Sequence, residues 1–542
     1  MVTRIVGLYD WHDGGYCVFE DGKVKEHIEF ERYNRIKESG GDSLEYLKKH
    51  YLEKNGLSLD DVDHWVSTYP SNNLKQLPPA EVSYFPHHFC HAAHAYYSSN
   101  FDDAYILTLD SEGNEDEGSM STCGYYAKGN EIKRLFAAPN TNVSLGRLWG
   151  RLTRYVFKMS AGYPRGHQAG SVMAMAALGD PDVYYEEFLK MATEDFALVS
   201  PQAPGAKRGV YVPPDEDPPH PYLNKYRILA EEDEQAKYDM AASLQKVTEK
   251  MMEEFIELLL GSGHETRNIC FAGGVALNSV GLGNLLYTYE DKFDNFFVPP
   301  VPYDGGHTIG ACQHYWHGVL NNPKADHFES PYLGEEYTED DVRKALKNVN
   351  EKVDISHDVS VDDCVDLLVE DKIVAVFQGR SESGRRALGN RSILASPLSP
   401  DMKDLINEKV KHRQSYRPFA PSILEQFADE WFEKSFPSPY MSFVFYMKAN
   451  KLNKAPAIEH VNGTARVQTV NKEQNESYYN LIDKFYEKTG VPILLNTSFN
   501  DREPICETPE HSIDCFLRTN IDYLYFPEYN ILVSKSEDSN RD

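Results

Sequence analysis

Apolar and polar positions alternate in short blocks at the N-terminus. Residues 4–9 (RIVGLY) form an apolar run that ends at Asp10, residues 16–19 (YCVF) follow a His-Asp-Gly-Gly turn, and residues 23–31 (KVKEHIEFE) follow a second Asp-Gly turn. Short apolar runs bounded by such turns are typical of strands joined as hairpins. The pattern therefore predicts a meander of strands.

The same plan recurs further along the chain. An apolar run, residues 104–109 (AYILTL), is expected to end as a strand at Asp110, and a glycine-bearing turn separates it from residues 120–127 (MSTCGYYA) and 131–139 (EIKRLFAAP). Two copies of strand, acidic turn, strand, turn and strand indicate an internally duplicated domain.

Helical spacing appears later in the chain. Residues 239–263 place apolar side chains near every 3.6 positions and end in glycine, which predicts a helix. Residues 268–286 and 295–316 each read as strand, turn and helix. The proline-rich segment 201–222 is a surface excursion, and both a disordered loop and a functional lid stay open for it.

A polar, acidic segment from 321 to 359 contains a short helix at residues 338–348 and marks a domain junction. Beyond it, residues 361–380 predict a helix and then a buried strand. Mixed helix and strand order on both sides gives an α/β (α+β) class with domains 1–330 and 331–542.

Composition narrows the class of protein. A chain of 542 residues is too long for a single hydrophobic core, which stops growing at roughly 250 to 300 residues, so at least two domains are expected. Its net charge of −29 disfavours a nucleic-acid partner. The eight cysteines form no CxxC pair, which fits free thiols in a reducing cytoplasm. No apolar run approaches the roughly 18 residues that span a bilayer. We expect a soluble cytoplasmic protein that has no membrane partner.

Four histidines fall within residues 87–94. His87 and His91 are four positions apart, so a helix places both imidazoles on one face, where they can share a divalent ion. The alternative is a pair of packed or surface histidines. Cys90 is offset from their face and is not expected to be a ligand.

Two carboxylates favour the metal site. Asp110 stands where a strand is expected to end, and Asp304 occupies a similar strand-to-helix turn; such strand ends gather ligands in parallel α/β sheets. Two histidines and two carboxylates without a thiolate favour Fe(II), or alternatively Mn(II), over structural zinc.

Glycines and basic residues indicate anion sites. Gly273 and Gly274 follow a strand and precede a helix, where backbone amides can approach a phosphate or ribose, although a glycine pair also simply permits a tight turn. Within 380–417 the basic residues outnumber the acids, and arginine forks bind phosphate bidentately. The alternative is a solvated basic face. The basic residues are Arg380, Arg385, Arg386, Arg391, Lys403, Lys409, Lys411, Arg413 and Arg417.

Polar residues of the C-terminal half extend this set. Arg466 lies in a strand-like run, and Asn496, Thr497, Ser498 and Asn500 come just after an apolar strand. Their hydroxyls and amides could hold phosphate oxygens, or they could be turn residues.

Eight blocks of sequence, taken in order, resemble the O-carbamoyltransferases of the nodulation and antibiotic-tailoring type. They are GLYDWHDGGYCVFEDGKV, EFERYNRIK, HHFCHAAHAYYSS, FAGGVALNS, GRRALGNRSIL, KHRQSYRPFAPS, HVNGTARVQTV and LLNTSFNDREPI. The resemblance implies a duplicated actin-like (ASKHA-type) N-terminal domain and a YrdC-like C-terminal domain. It also implies that the second domain forms carbamoyl adenylate from carbamoyl phosphate and ATP, with Mg(II), and that the first transfers the carbamoyl group to a hydroxyl.

The resemblance also implies roles for individual residues. His12 is the expected catalytic base, and His87, His91, Asp110 and Asp304 are the expected metal ligands. The expected nucleotide and phosphate contacts are Lys37, Gly273, Gly274, Asn278, Arg386, Lys411, Arg417, Arg466 and Ser498. The chain departs from the family pattern at Ser171, Arg385 and Asn462, where the family usually has Lys, Pro and Asp.

Other functions stay open on the sequence. A tRNA threonylcarbamoyl transferase shares the histidine helix but would need a basic surface. An actin-like sugar kinase would not explain the second domain. A nucleotide-binding regulator would keep the fold but catalyse no reaction. The sequence leaves open the small-molecule acceptor, which could be a sugar, an aminoglycoside or another hydroxyl compound, and also whether the chain forms a homodimer.

Overall fold

The computed structural model describes residues 2–77, 82–160, 166–206, 213, 216–324, 330–414 and 416–536. Part of the proline-rich segment, at 207–212 and 214–215, lies outside the described residues. The chain divides into two compact units, Met1–Glu329 and Ser330–Asp542. No helix among the described residues combines the length and the apolar character that crossing a membrane requires.

The first unit contains two five-stranded sheets with the same topology. Their strands are β1 Arg4–Tyr9, β2 Gly15–Glu20, β3 Lys23–Glu29, β4 His64–Ser67 and β5 Val82–Tyr84, and β6 Asp103–Glu115, β7 Gly118–Lys128, β8 Glu131–Pro139, β9 Asn268–Ala272 and β10 Asn295–Phe297. The sheet orders are β3-β2-β1-β4-β5 and β8-β7-β6-β9-β10. In each sheet the three hairpin strands are antiparallel and the last two run parallel to the central strand, with β4 joining β1 in one and β9 joining β6 in the other. The predicted duplication and the duplicated actin-like class are thereby confirmed.

Helices fill the space around these sheets. They are α1 Glu31–Asn34, α2 Ser43–Leu47, α3 His87–Tyr97, α4 Leu145–Tyr155, α5 Ala169–Met175, α6 Tyr185–Ala192, α7 Phe196–Val199, α8 Asn224–Glu232, α9 Glu234–Leu260, α10 Ser279–Thr288 and α11 His307–His314. The predicted helix at 239–263 is the C-terminal part of α9, which begins earlier because Asp233 accepts hydrogen bonds from the backbone N–H groups of Gln235 and Ala236.

Two helices form the centre of the first unit. Helix α3 packs on β6 and β9, helix α11 packs on β1 and β2, and the two helices pack against each other. Their contact is close, because a Cβ at Gly310 would lie 2.0 Å from the carbonyl oxygen of Cys90. All residues of α3 except Phe89 are buried, so its histidines lie in the interior.

One predicted strand end is wrong. Strand β6 continues past Asp110 to Glu115, and its register with β7 shifts between Leu109 and Gly113. The parallel pairing of β6 with β9 does end just before Asp110, at Thr108 and Ala272. Asp110 therefore lies at a bulge, where a side chain leaves the regular pleat.

The second unit is built on one eight-stranded sheet. Its strands are β11 Val353–Ser356, β12 Val374–Phe377, β13 Arg391–Ala395, β14 Ala420–Leu424, β17 Gln468–Val470, β18 Ile493–Ser498, β19 Tyr523–Phe526 and β20 Ile531–Lys535, and β15 Val444–Tyr446 pairs with β16 Thr464–Arg466 separately. The sheet order is β11-β20-β19-β12-β13-β18-β14-β17.

The helices of the second unit are α12 Glu339–Lys347, α13 Val361–Val369, α14 Met402–Ile406, α15 Ala428–Trp431, α16 Glu476–Thr489 and α17 Pro509–Arg518. Helices α13 and α16 cover the sheet with Leu368, Ile482 and Phe485. The predicted helix and buried strand at 361–380 are thus present as α13 and β12.

Candidate functional site

A group of imidazoles and carboxylates lies between α3, β6 and α11, and we call it the His/Asp cluster. It consists of His87, His91, Asp110, Asp304 and His307. Four of these residues, all except Asp110, are buried and offer donor atoms that lie within 4.8 Å of one another. Helix α3 supplies two histidines one turn apart, as their spacing predicts.

Distances inside the His/Asp cluster are short. His91 Nε2 lies 3.2 Å from Asp110 Oδ2 and 3.4 Å from Asp304 Oδ1. His87 Nε2 lies 3.8 Å and 3.7 Å from the same two oxygens. The structure therefore brings together all four metal ligands expected from the sequence.

The His/Asp cluster fits a cation. Among the described residues, the buried His87 Nε2 has no hydrogen-bond partner. Burial raises the pKa of Asp110, but contacts with His87 and His91 outweigh burial and hold this pKa well below its usual range. A buried carboxylate (Asp304), a partly buried one (Asp110) and an imidazole nitrogen without a hydrogen bond are the donor set that a borderline divalent ion takes.

His307 belongs to the cluster although it is not among the ligands that the sequence predicts. It is the first residue of α11 and stands three positions after Asp304, in the turn that opens the helix. Its Nε2 lies 3.1 Å from His91 Nε2. The spacing of Asp304 and His307 was the available signal, but their position beside α3 depends on tertiary packing.

The expected base, His12, lies at the edge of the His/Asp cluster. It sits in the turn between β1 and β2, with Nε2 3.5 Å from Asp304 Oδ2 and Nδ1 3.2 Å from Asp13 Oδ2. Desolvation lowers the pKa of His12, but the hydrogen bond with Asp13 and the charges of Asp304 and Asp110 raise it to about 10. Because 64% of its side chain is exposed, solvent screens part of this effect.

The loop that carries Lys37 packs on the same turn. Gly14 donates its backbone N–H to the carbonyl of Ser39, and Gly41 donates to the carbonyl of Asp10. Lys37 is half-buried and approaches Gly166. Lys37, which the resemblance implies as an adenylate contact, therefore lies on the loop next to His12.

The glycine turn also reaches the cluster. Gly274 donates its backbone N–H to Asp110 Oδ2 at 3.0 Å. Asn278, by contrast, is used by the fold: its side chain accepts from the backbone N–H of Gly281 and donates to Gln245 Oε1. Asn278 therefore fixes the start of α10 beside the turn.

In the second unit, four arginines form a group that we call the arginine cluster: Arg386, Arg413, Arg417 and Arg466. Burial and the positive charges of the other three lower the pKa of Arg466 well below its usual range. Arg466 Nε is buried without a hydrogen-bond partner among the described residues. Positive charges that act in this way on a buried guanidinium fit an anion that pairs with them.

Lys411 and Ser498 lie together in the second unit, where the ammonium is held by protein oxygens. Lys411 Nζ donates to the carbonyl oxygens of Ser498, at 2.8 Å, and Asn500, at 2.7 Å. It also lies 2.7 Å from Asn500 Oδ1 and 3.2 Å from Ser498 Oγ. Lys411 thus positions the end of β18.

Comparison with known proteins decides the family. The model for the carbamoyltransferase N-terminus matches residues 67–313, and the model for the carbamoyltransferase C-terminus matches residues 365–534. Nodulation protein NolNO of Sinorhizobium fredii is 30% identical, over 96% of this chain and 79% of its own length. The chain belongs to the carbamoyltransferase family.

Other relatives of this carbamoyltransferase support the assignment. Nodulation protein NolO of Bradyrhizobium diazoefficiens is 34% identical, over 81% of this chain and 77% of its own. An uncharacterised protein of Synechocystis is 34% identical, over 100% of this chain and 98% of its own. The enzyme class expected from the resemblance, carbamoyl transfer, is confirmed.

Proposed function

We propose that this carbamoyltransferase forms carbamoyl adenylate from carbamoyl phosphate and ATP in residues 331–542, and transfers the carbamoyl group to a hydroxyl of a small molecule in residues 1–330. The observation that carries the proposal is a division of chemistry between the units. One holds the arginine cluster, which suits phosphates, and the other holds the His/Asp cluster with His12 at its edge.

Activation is the task of the arginine cluster. Carbamoyl phosphate loses its phosphate to water, and the carbamate oxygen that remains attacks the α-phosphorus of ATP bound with Mg(II). A new O–P bond forms, the bond between the α- and β-phosphates breaks, and pyrophosphate leaves. Arg386, Arg417 and Arg466 stabilise the negative charge on the phosphates while this exchange proceeds.

Transfer is the task of the first unit. Lys37 and the turn at Gly273 and Gly274 hold the adenylate. The acceptor oxygen attacks the carbamoyl carbon, the bond from that carbon to the AMP oxygen breaks, and His12 Nε2 takes the acceptor proton. The products are a carbamate ester and AMP.

The His/Asp cluster would hold a divalent ion, Fe(II) by preference or Mn(II), on His87, His91, Asp110 and Asp304. Bound there, the ion supplies positive charge that polarises the carbamoyl oxygen and offsets the carboxylates that otherwise keep His12 protonated. The donor set has no thiolate, which argues against a structural zinc site.

The acceptor is proposed as a small molecule. The net charge of −29 makes the surface repel polyanions such as tRNA. The exposed position of His12 leaves the base open to a bulky hydroxyl compound. A sugar, an aminoglycoside and another natural product each satisfy these conditions.

The test uses the full-length enzyme with ATP, Mg(II) and carbamoyl phosphate labelled in the carbamoyl carbon, without acceptor. We expect a labelled carbamate linked to AMP, and release of pyrophosphate that depends on carbamoyl phosphate. Transfer of the γ-phosphate to a sugar, with ADP as product, would contradict the proposal, and so would the absence of any adenylate. A screen of metabolites for the mass gain of one carbamoyl group then identifies the acceptor.

A further inference from the structure

His307 faces the donor atoms of the His/Asp cluster from the opposite helix. Its Nε2 lies 3.1 Å from His91 Nε2 and 3.9 Å from Asp304 Oδ1. The centroid of its ring lies 4.3 Å from the ring of His87 and 4.3 Å from the ring of His91. Three imidazoles from two helices therefore meet around one carboxylate.

We propose that His307 is a direct ligand of the divalent ion, together with His87, His91, Asp110 and Asp304. The inference rests on the proposed function, which places an ion at the His/Asp cluster. It goes further, because the two-histidine, two-carboxylate set read from the sequence does not include His307.

Distance supports a shared ion. Nitrogen and oxygen ligands lie about 2.0–2.2 Å from an ion such as zinc, so two ligands of the same ion are at most about 4.4 Å apart. The separations of His307 Nε2 from His91 Nε2 and Asp304 Oδ1, 3.1 and 3.9 Å, satisfy this limit. So do the separations of His87 and His91 from the two carboxylates, which range from 3.2 to 3.8 Å.

The pair His91 and His307 gives a second argument. An imidazole nitrogen carries either a proton or one lone pair that can be shared. If His91 Nε2 gives its lone pair to the ion, it can no longer accept a proton from His307 at 3.1 Å. His307 can then satisfy its own Nε2 by presenting a lone pair to the same ion.

Other histidines of the first unit show what a structural role looks like. His88, on the same helix as His91, has Nδ1 2.9 Å from Thr108 Oγ1 and Nε2 3.1 Å from the carbonyl oxygen of Met120. His94 Nδ1 lies 3.1 Å from Ser98 Oγ. These rings contact hydroxyls and a carbonyl, whereas His307 Nε2 faces other donors of the cluster.

The experiment loads the purified full-length protein with Fe(II) or Co(II) under anaerobic conditions and compares the wild type with His307→Ala and His307→Gln. Ion content is measured by elemental analysis, affinity by competition with a chelator, and the number of imidazoles on the ion by X-ray absorption. The control is His314→Ala, at the other end of the same helix, where the ring packs against Phe85 and Phe89.

We expect the wild type to hold one ion with three imidazoles. Both His307 variants should show two imidazoles and an affinity at least about 100-fold weaker, since even an outer-shell change costs about 10–100-fold. Free imidazole should restore the visible spectrum of the Co(II)-loaded alanine variant. The control should match the wild type.

Unchanged affinity and three imidazoles in both His307 variants would overturn the inference while leaving the proposed function in place. A wild type that binds no ion would overturn both. Normal ion binding through three imidazoles, combined with failure to form carbamoyl adenylate, would overturn the proposed function alone.

Discussion

Gly274 donates its backbone N–H to Asp110 Oδ2 at 3.0 Å, which joins the glycine turn after β9 to the His/Asp cluster. The sequence presents these as two separate features, a nucleotide turn and a metal carboxylate. In the fold they are one arrangement, because β6 and β9 run parallel and their ends lie side by side. A change in the turn is therefore expected to reach Asp110.

The two glycines of this turn should differ in their tolerance of alanine. Gly273 has φ +87° and ψ 162°, and a Cβ there would lie 2.1 Å from the carbonyl oxygen of Leu109. Such backbone costs a residue with a Cβ about 1–3 kcal/mol before the clash is counted. A Cβ at Gly274 would instead meet Asp110 Oδ1 at 3.5 Å, an ordinary contact.

We expect Gly273→Ala to lower the free energy of unfolding by about 3 kcal/mol or more, and Gly274→Ala to change it by less than about 1 kcal/mol. Chemical denaturation of both variants measures the difference. Equal stability of the two variants would contradict the assigned strain at Gly273.

The sequence predicts the duplicated meanders well because their signals are local. Asp-Gly turns and apolar runs determine the hairpins β1 to β3 and β6 to β8 without reference to the rest of the chain. Strand β4 pairs in parallel with β1, and β5 pairs in parallel with β4. Both strands follow β3 only after a long connection. Their short sequences, HWVS and VSY, gave no comparable signal.

The site shows the same limit. His87 and His91 follow from helical spacing, and Asp110 and Asp304 follow from the apolar runs that stop just before them, although β6 itself continues to Glu115. His307 requires knowledge that α11 crosses α3 closely, which depends on Gly310 meeting the backbone of Cys90. The resemblance implies that Lys411 contacts phosphate, yet its ammonium is held by oxygens of Ser498 and Asn500, which lie far from it in the sequence.

Substitution of two histidines of α3 should affect metal binding in one case and stability in the other. His91→Ala removes a ring whose Nε2 faces Asp110, Asp304 and His307, so we expect purified protein without bound ion. His88→Ala should keep the ion but lower the free energy of unfolding by about 3 kcal/mol, because it removes the partner of Thr108 and of the Met120 carbonyl. Elemental analysis and denaturation of both variants measure this. Loss of the ion from His88→Ala with retention in His91→Ala would reverse the assignment.

His12→Asn should separate the two half-reactions. The change keeps a polar side chain in the turn but removes the proton acceptor next to Asp304. We expect pyrophosphate release and adenylate formation at the wild-type rate, and carbamoylation of the acceptor slower by about 10²–10⁴-fold. Both rates are followed with labelled carbamoyl phosphate.

The control for this variant is His264→Asn, which alters a ring stacked on Tyr126 with centroids 4.0 Å apart. It should leave both half-reactions unchanged. An equal loss of both half-reactions in His12→Asn would refute the role of His12 as the base for transfer.

Arg466→Leu should slow pyrophosphate release without lowering the free energy of unfolding. Burial and the positive charges of Arg386, Arg417 and Arg413 lower the pKa of Arg466 well below the usual range in the free protein. Removing one like charge should leave the free energy of unfolding unchanged or raise it by about 1 kcal/mol, whereas pyrophosphate release should fall by about 10²–10³-fold because the phosphates lose a buried partner. Inorganic phosphate should raise the melting temperature of the wild type more than that of the variant.

The control is Arg343→Leu, which removes an exposed guanidinium paired with Glu339. It should change neither the free energy of unfolding nor the rate of pyrophosphate release. Normal pyrophosphate release by Arg466→Leu would show that the phosphates do not need Arg466. Activation would then take place away from the arginine cluster.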